Sequence, residues 1–239
     1  MTTPVEAALA RLPDVHRWVE ARALLLAPEG RVFALRTEGE PAFVVREHAS
    51  SAVFVVGLPD PAELRGALAR PPRATEVIAG IERADAVAAE LDRWERSRIL
   101  VHALRHPESL PPADERVRFL DPDRIRRLDV DEELRQELEI GAEGSDIAAT
   151  FVDDRPVAFC YAGAITETLW DIAVDTVEEH RRRGHAACAV AHMIRHMLAR
   201  GREPVWQAVE ENPASWQLAA KLGFEVVDEL VQFTAKPVT

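Results

Sequence analysis

HRRRGHAACAVAHMIRHMLARG, residues 180–201, brings three arginines up against a glycine, and a segment with helical apolar spacing follows at once. Upstream, TLWDIAVDT (168–176) has the composition of a strand. A strand, a short polar turn, a glycine and a helix together point backbone N–H groups outward. The first N–H groups of a helix have no partner inside it. With the helix dipole they make an anion site. Arg181, Arg182 and Arg183 add charge beside it, Gly184 admits a close backbone approach, and Ala186 is small. The turn suits a pyrophosphate. Its charge is local, because the 239 residues carry a formal net charge of -12 and the only lysines are Lys221 and Lys236.

Working outward, the second half has a regular order. RVRFL (116–120) reads as strand, and DPDRIRRL starts a helix with Asp121 as N-cap and Pro122 behind it. DEELRQELEIGAEG (131–144) is helical to its glycine. DIAATFVDD and PVAFCYAGA form a hairpin through DDRP, and TLWDIAVDT is a third strand. After the 180–201 segment come strand EPVWQAV, helix NPASWQLAAKL and strand FEVVDELVQFTA. The order is β-α-α-β-β-β-α-β-α-β.

The first half is also α/β. Residues 4–27 read as helix broken at Pro13, followed by strands RVFALR, AFVVRE and AVFVVG. Asp60 and Pro61 open a helix; TEVIAG is strand, ERADAVAAELDRW helix and SRILVHAL strand. RHPESLPPADER has three prolines and no apolar period. The expected division is a smaller α/β domain over 1–104, a linker over 105–115 and a second domain over 116–239.

Two motifs in the second half resemble one family. Arg181-Arg182-Arg183-Gly184-His185-Ala186 is similar to the Arg/Gln-x-x-Gly-x-Gly/Ala turn of the GCN5-related N-acetyltransferases (GNAT). NPASWQLAAKLGFEVV, from Asn212 to Val227, resembles the family's Asn-x-x-Ser/Ala...Lys-x-Gly-Phe segment. Their order, their separation and the element order from residue 116 fit as well. WDIAVDTVEEHRRRGHA with PVWQAVEENPASWQLAAKLGF looks closest to the branch that includes the zwittermicin A resistance protein.

The resemblance implies a mixed, mostly antiparallel sheet flanked by helices, and acetyl-coenzyme A as cosubstrate. Val174 would meet the pantetheine arm through its backbone, in the manner of a strand added to a sheet edge. Thr176 and the turn Arg181, Arg182, Arg183, Gly184, His185, Ala186 and Ala187 would hold the pyrophosphate. Asn212 and Ser215 would line the far wall, and Asn212 is also a natural N-cap before Pro213. The family's tyrosine acid, two residues before the lysine of KLGF, is replaced by Ala219. Tyr161 is the only tyrosine in the chain and reads as a core or cleft residue. The first half lacks the turn and reads as a degenerate copy of the same fold.

Acetyl transfer needs a neutral amine, hence a base. The candidates are Glu167, Asp171, Asp175 and Glu210. Strand alternation puts Glu167, Asp171 and Asp175 on one face. Asp171, flanked by Trp170 and Ile172, is the leading base because a carboxylate there is costly unless solvated or paired; Glu167 stands second. The expected function is acetylation of a small primary amine. The alternatives are a coenzyme A-binding protein without efficient turnover and a protein acetyltransferase.

Composition narrows the partners. The acid excess argues against nucleic acid and favours a cationic substrate. No apolar run is long enough for a membrane span, the N-terminus does not read as a signal peptide, and Cys160 and Cys188 read as buried free thiols. The expectation is a cytoplasmic protein that needs no metal. His192 and His196 share a helix face but lack the third ligand of a metal site. Oligomeric state is left open.

Overall fold

The computed structural model describes residues 2–36, 39–47, 52–70 and 73–236. By packing, the chain forms two compact units: residues 1–101, 207–216 and 226–239 in one, and 102–206 and 217–225 in the other. The units interleave along the chain, because the last strand packs with the first unit. Each is an open, mostly antiparallel sheet flanked by helices.

In the first unit, α1 (Pro4–Leu9) and α2 (Val19–Leu26) precede β1 (Gly30–Arg36), β2 (Ala42–Glu47) and β3 (Ala52–Val56). α3 (Pro61–Leu68), β4 (Glu76–Gly80), α4 (Ala84–Ala88) and β5 (Trp94–Leu104) follow. The strand order is β1-β2-β3-β4-β11-β5, where β11 is Phe224–Ala235. β3 and β4 run parallel from Ala52↔Glu76 to Val55↔Ala79, almost their whole length. Val53, Val55, Val77 and Phe233 pack under Leu64 and Ala67 of α3. Asp60 caps α3 as expected, accepting from the amides of Ala62 and Glu63 at 2.9 and 3.3 Å.

Two expected helices are shorter. The break near Pro13 widens into a 3-10 turn at His16–Trp18 before α2 starts. ERADAVAAELDRW keeps only α4 and a 3-10 turn, because Arg93 takes a positive φ of 61° and Trp94 already belongs to β5.

The first unit also brings two half-buried carboxylates near each other, Glu20 of α2 and Glu76 of β4. Burial, then the Glu76 charge, pushes Glu20 up to about 7. A carboxyl whose pKa rises on folding stabilises the fold at low pH, and this contribution is lost as pH climbs from the ordinary value of 4.5 toward 7. Glu20→Gln should therefore match the wild type at pH 4 and be more stable at pH 8, by about 3 kcal/mol at most and less for solvent screening of a half-exposed group. Equal denaturation midpoints at pH 8 would remove this penalty from the account.

The second unit contains β6 (Val117–Phe119), α5 (Pro122–Ile125), α6 (Glu132–Gly144), β7 (Ala148–Val152), β8 (Arg155–Ile165), β9 (Leu169–Thr176) and α7 (His185–Leu198). β10 (Glu203–Val209) enters its sheet through residues 203–206, and α8 (Pro213–Lys221) follows. β6 to β9 pair antiparallel in sequence, and β9 pairs parallel with β10. Asp153 and Asp154 turn the β7–β8 hairpin with φ of 48° and 62°, as a two-residue hairpin loop demands.

The sheet is covered on both faces. On one, Leu134 and Leu138 of α6 pack on Phe151, Phe159 and Tyr161. On the other lies α7, where the Thr150 hydroxyl donates to the His185 carbonyl at 2.8 Å. Residues 105–115 are not a free tether. The amides of Arg105 and His106 donate to the Gly223 carbonyl at 2.9 and 3.0 Å.

That contact explains the glycine of KLGF in structural terms. Gly223 has φ +92°, and a Cβ there would lie 2.1 Å from the His106 carbonyl oxygen. Gly223→Ala should cost roughly 3 kcal/mol in denaturant unfolding, from a strained φ and a backbone clash together. A loss below about 1 kcal/mol would mean the contact yields easily.

Candidate functional site

β9 pairs with β10 only over Glu203↔Leu169, Pro204↔Trp170 and Val205↔Asp171. Among the described residues the ladder stops there, so the strands part over Ile172–Thr176. The register Thr150↔Ala158↔Thr176 puts Thr176, and by alternation Val174, on the α7 face. Tyr161↔Ala173 and Phe159↔Asp175 put Asp175 on the α6 face, with Asp171 four residues earlier.

The turn after β9 is open. α1, α3, α5 and α6 are each closed by a side chain at the N-cap. α7 is not: its N-cap is Gly184 at φ +83°, with no side-chain cap. Arg182 also has a positive φ, 59°. Arg181, Arg182 and Arg183 are exposed, and among the described residues none forms an ion pair. The Arg181 Nε donates to the Thr176 carbonyl at 3.2 Å, tying the turn to the strand end. Free N–H groups and unpaired guanidinium groups in a chain of net charge -12 make a site whose natural partner is an anion.

Two residues of the expected turn contribute differently. His185 is 7% exposed and Ala187 is buried as well. Only their backbone can face a ligand, since the side chains turn toward the sheet. Burial, then the charges of Arg116, His180 and Arg183, hold His185 below its ordinary pKa.

Among the candidate bases, Asp171 is 8% exposed in mid-strand. A bulge between Ala162 and Ala164 in β8 faces it, and Gly163 lies beside its Oδ2, 3.6 Å from where a Cβ would be. Bulges of this kind re-aim neighbouring side chains. Glu167 is not on the strand. The Leu169 amide donates to the Thr166 hydroxyl at 2.9 Å, closing a turn with Glu167 exposed at its tip. Nine residues separate it from Thr176, roughly 30 Å of extended chain. Glu210, in the first unit, is ion-paired to Arg98, whose hydrogen bond lowers its pKa. It is a poor base.

Asn212 and Ser215 lie in the first unit, where the Ser215 amide donates to Asn212 Oδ1 at 3.3 Å, as an N-cap should. Ala219 is fully buried. Phe119 packs against His192 and His196, and His196 Nε2 lies 2.9 Å from an Asp146 carboxylate oxygen. Among the described residues no group of three or more His, Cys, Asp or Glu is placed to hold a metal ion. No helix there is long and apolar enough to cross a membrane.

A cavity of about 1210 Å³ adjoins the turn, lined by the α5–α6 loop, the β7–β8 hairpin, the end of β9 and Arg181. Glu137 of α6 and Asp175 both line it. Burial raises the pKa of each, and Glu137 is raised further by the Asp175, Glu133 and Asp131 charges.

Residues 148–233 match the family model described as GNAT acetyltransferase. No curated protein sequence matches. Among solved structures, the fold is similar to a GCN5-related N-acetyltransferase-like protein from Streptococcus suis, at 17% identity and TM-score 0.68, over 97% of each chain. A GCN5-related N-acetyltransferase from Kribbella flavida is 16% identical, TM-score 0.62, covering 93% of this chain and 95% of that one. A tandem GNAT protein from the clavulanic acid biosynthesis pathway is 16% identical, TM-score 0.61, covering 100% and 96%. The fold is that of the GNAT acetyltransferases.

Proposed function

We propose that this GNAT-fold chain is an acetyl-coenzyme A-dependent N-acetyltransferase acting on a small-molecule primary amine. One observation carries the reading: the open N-terminus of α7, with its unpaired arginines, lies where β9 and β10 part. In this reading the amides of residues 184–187 and the three arginines hold the pyrophosphate. The β9 edge at Val174 receives the pantetheine arm. The thioester of acetyl-coenzyme A supplies an activated acetyl group with a thiolate leaving group.

Asp171 takes a proton from the acceptor ammonium, so that the amine lone pair is free to attack the thioester carbonyl. The C–N bond would form, the nitrogen would give up its second proton to solvent, the C–S bond would break, and a backbone N–H near Val174 would stabilise the oxyanion between the two bond changes. Ala219 supplies no proton to the departing thiolate, which leaves as the anion and is protonated by solvent. That missing acid favours one second reading, a coenzyme A-binding protein with slow turnover.

The first unit serves this reading as a copy of the fold that does not hold the cosubstrate. Its parallel pair β3–β4 is zipped where β9–β10 part, and the carboxylate of Asp60 already occupies the N-terminus of α3. Within the family, WDIAVDTVEEHRRRGHA supports placement beside the zwittermicin A resistance protein. Free Cys160 and Cys188 suit a reducing cytoplasm. The test is release of free coenzyme A thiol from acetyl-coenzyme A with a panel of primary amines. Amine-dependent release with an N-acetylated product is expected; release no faster than the amine-free blank across the panel would refute turnover.

A further inference from the structure

The helix behind the arginine turn opens on a histidine. His185 is the first residue of α7 and is 7% exposed. Its Nδ1 is buried and has no hydrogen-bond partner among the described residues. The same holds for Nδ1 of His180, at the other end of the turn, and the two ring centroids lie 6.0 Å apart. The arginine turn runs between two neighbouring imidazoles, and neither is fixed as donor or acceptor through Nδ1.

The charges around His185 are mostly positive. Arg116, His180 and Arg183 oppose a proton on its ring, as burial does, and Asp114 favours one. Asp114 is already engaged. It accepts from Arg116 Nη2 at 2.7 Å and Nε at 3.1 Å, and from the thiol of Cys188, one turn along α7. Thr150 of β7 brings no charge, and its hydroxyl donates to the His185 carbonyl. Glu178 and Glu179, in the same short turn as His180, are exposed. A buried imidazole among cations stays neutral. What it lacks is a negative charge nearby, and the open N-terminus of α7 is suited to receive one.

We propose that a pyrophosphate bound at the Arg181–Gly184 turn draws a proton onto the His180–His185 pair, with His185 as its seat, so that cosubstrate binding is coupled to proton uptake. This deepens the acetyltransferase reading and rests on it. His185 does not touch the ligand; it acts through charge. The pyrophosphate offsets the guanidinium groups that oppose a proton on the ring, and the imidazolium in turn strengthens the positive end of the helix. One proton serves the pair, since a second charge 6.0 Å away would oppose it. Linkage fixes the direction. The anion raises the affinity of the ring for a proton, so a lower pH raises the affinity of the turn for the anion. The window extends upward from the pKa of the free ring, which is held below its ordinary value of 6.5.

The test is calorimetric titration of the full chain with acetyl-coenzyme A at about pH 6, in two buffers of unequal ionisation enthalpy, for wild type and His185→Gln. The difference in observed enthalpy between the buffers counts the protons taken up. The phosphate monoester of the ligand titrates at about pH 6 as well, so the quantity read is wild type minus variant. Wild type should take up about half a proton more per ligand, and its affinity should gain about threefold on the variant's for each pH unit lowered through the window. His180→Gln, which removes an opposing charge and leaves His185 in place, should move the uptake to higher pH. Equal uptake in wild type and His185→Gln would overturn the proposal, while binding of acetyl-coenzyme A would keep the reading beneath it. If His185→Gln does not fold, an uptake curve unmoved by His180→Gln overturns the proposal instead. Absence of binding at every pH would overturn both.

Discussion

Gly184→Trp is expected to lower acetyl-coenzyme A affinity at least a hundredfold with little loss of secondary structure. Two costs combine. The residue sits at φ +83°, where a side chain costs about 1–2 kcal/mol. The side chain must also go somewhere. No atom lies within 4 Å of a Cβ built there, so an indole meets no wall and projects over the helix terminus. It would cover the N–H groups that no capping side chain occupies. A hundredfold loss corresponds to about 2.7 kcal/mol, within reach of a few charge-assisted hydrogen bonds. Gly184→Ala separates the two costs. It carries the backbone strain without the cover, and should lose stability but keep most of the affinity. Calorimetry with circular dichroism on both variants checks this. Equal losses for alanine and tryptophan would point to backbone conformation alone.

Asp171→Asn should reduce kcat by about a hundredfold to ten-thousandfold, the usual contribution of a positioned general base. Acetyl-coenzyme A affinity should stay within twofold. The substitution preserves shape, so it tests charge and proton acceptance only. Asp171 is nearly buried, and the β8 bulge at Gly163 stands opposite it in the sheet. Val174 and Thr176, which the proposed reading turns toward the cosubstrate, are on the other face of β9, so removing the charge leaves their surroundings intact. A kcat within threefold of wild type would move the base elsewhere. Asp175 is then next, since burial already lifts its pKa toward the range a base needs. The pH profile of kcat/KM separates the two.

The strands were legible because each is a run of β-branched residues bounded by turn formers. AFVVRE matches β2 residue for residue. The turn at 180–187 was legible for a different reason: its arginines are anomalous in an acidic chain, and a strand and a helix flank them. Side-chain direction was less so. His185 reads as part of an anion site, yet its ring packs against the sheet beneath α7. Glu167 reads as a strand residue because LWDIAVDT alternates cleanly. The Thr166–Leu169 turn ends that alternation two residues sooner, through a side-chain bond with no periodic signature.

The same holds for the chain's division. RHPESLPPADER looks like a linker by composition, but its backbone is held by the Gly223 carbonyl. β11 follows the second-half motifs in sequence and pairs with β4, from Leu230↔Gly80 to Thr234↔Glu76. Neither long-range pairing leaves a local mark in the sequence.

The most direct measurement is a calorimetric titration of the full chain with acetyl-coenzyme A. The account predicts micromolar affinity, a stoichiometry of one per chain, and loss of binding in Gly184→Trp. One site follows because β3–β4 is zipped and Asp60 fills the N-terminus of α3, while α7 is open. Absence of binding, or binding that survives Gly184→Trp unchanged, would contradict the assignment of the arginine turn to the cosubstrate.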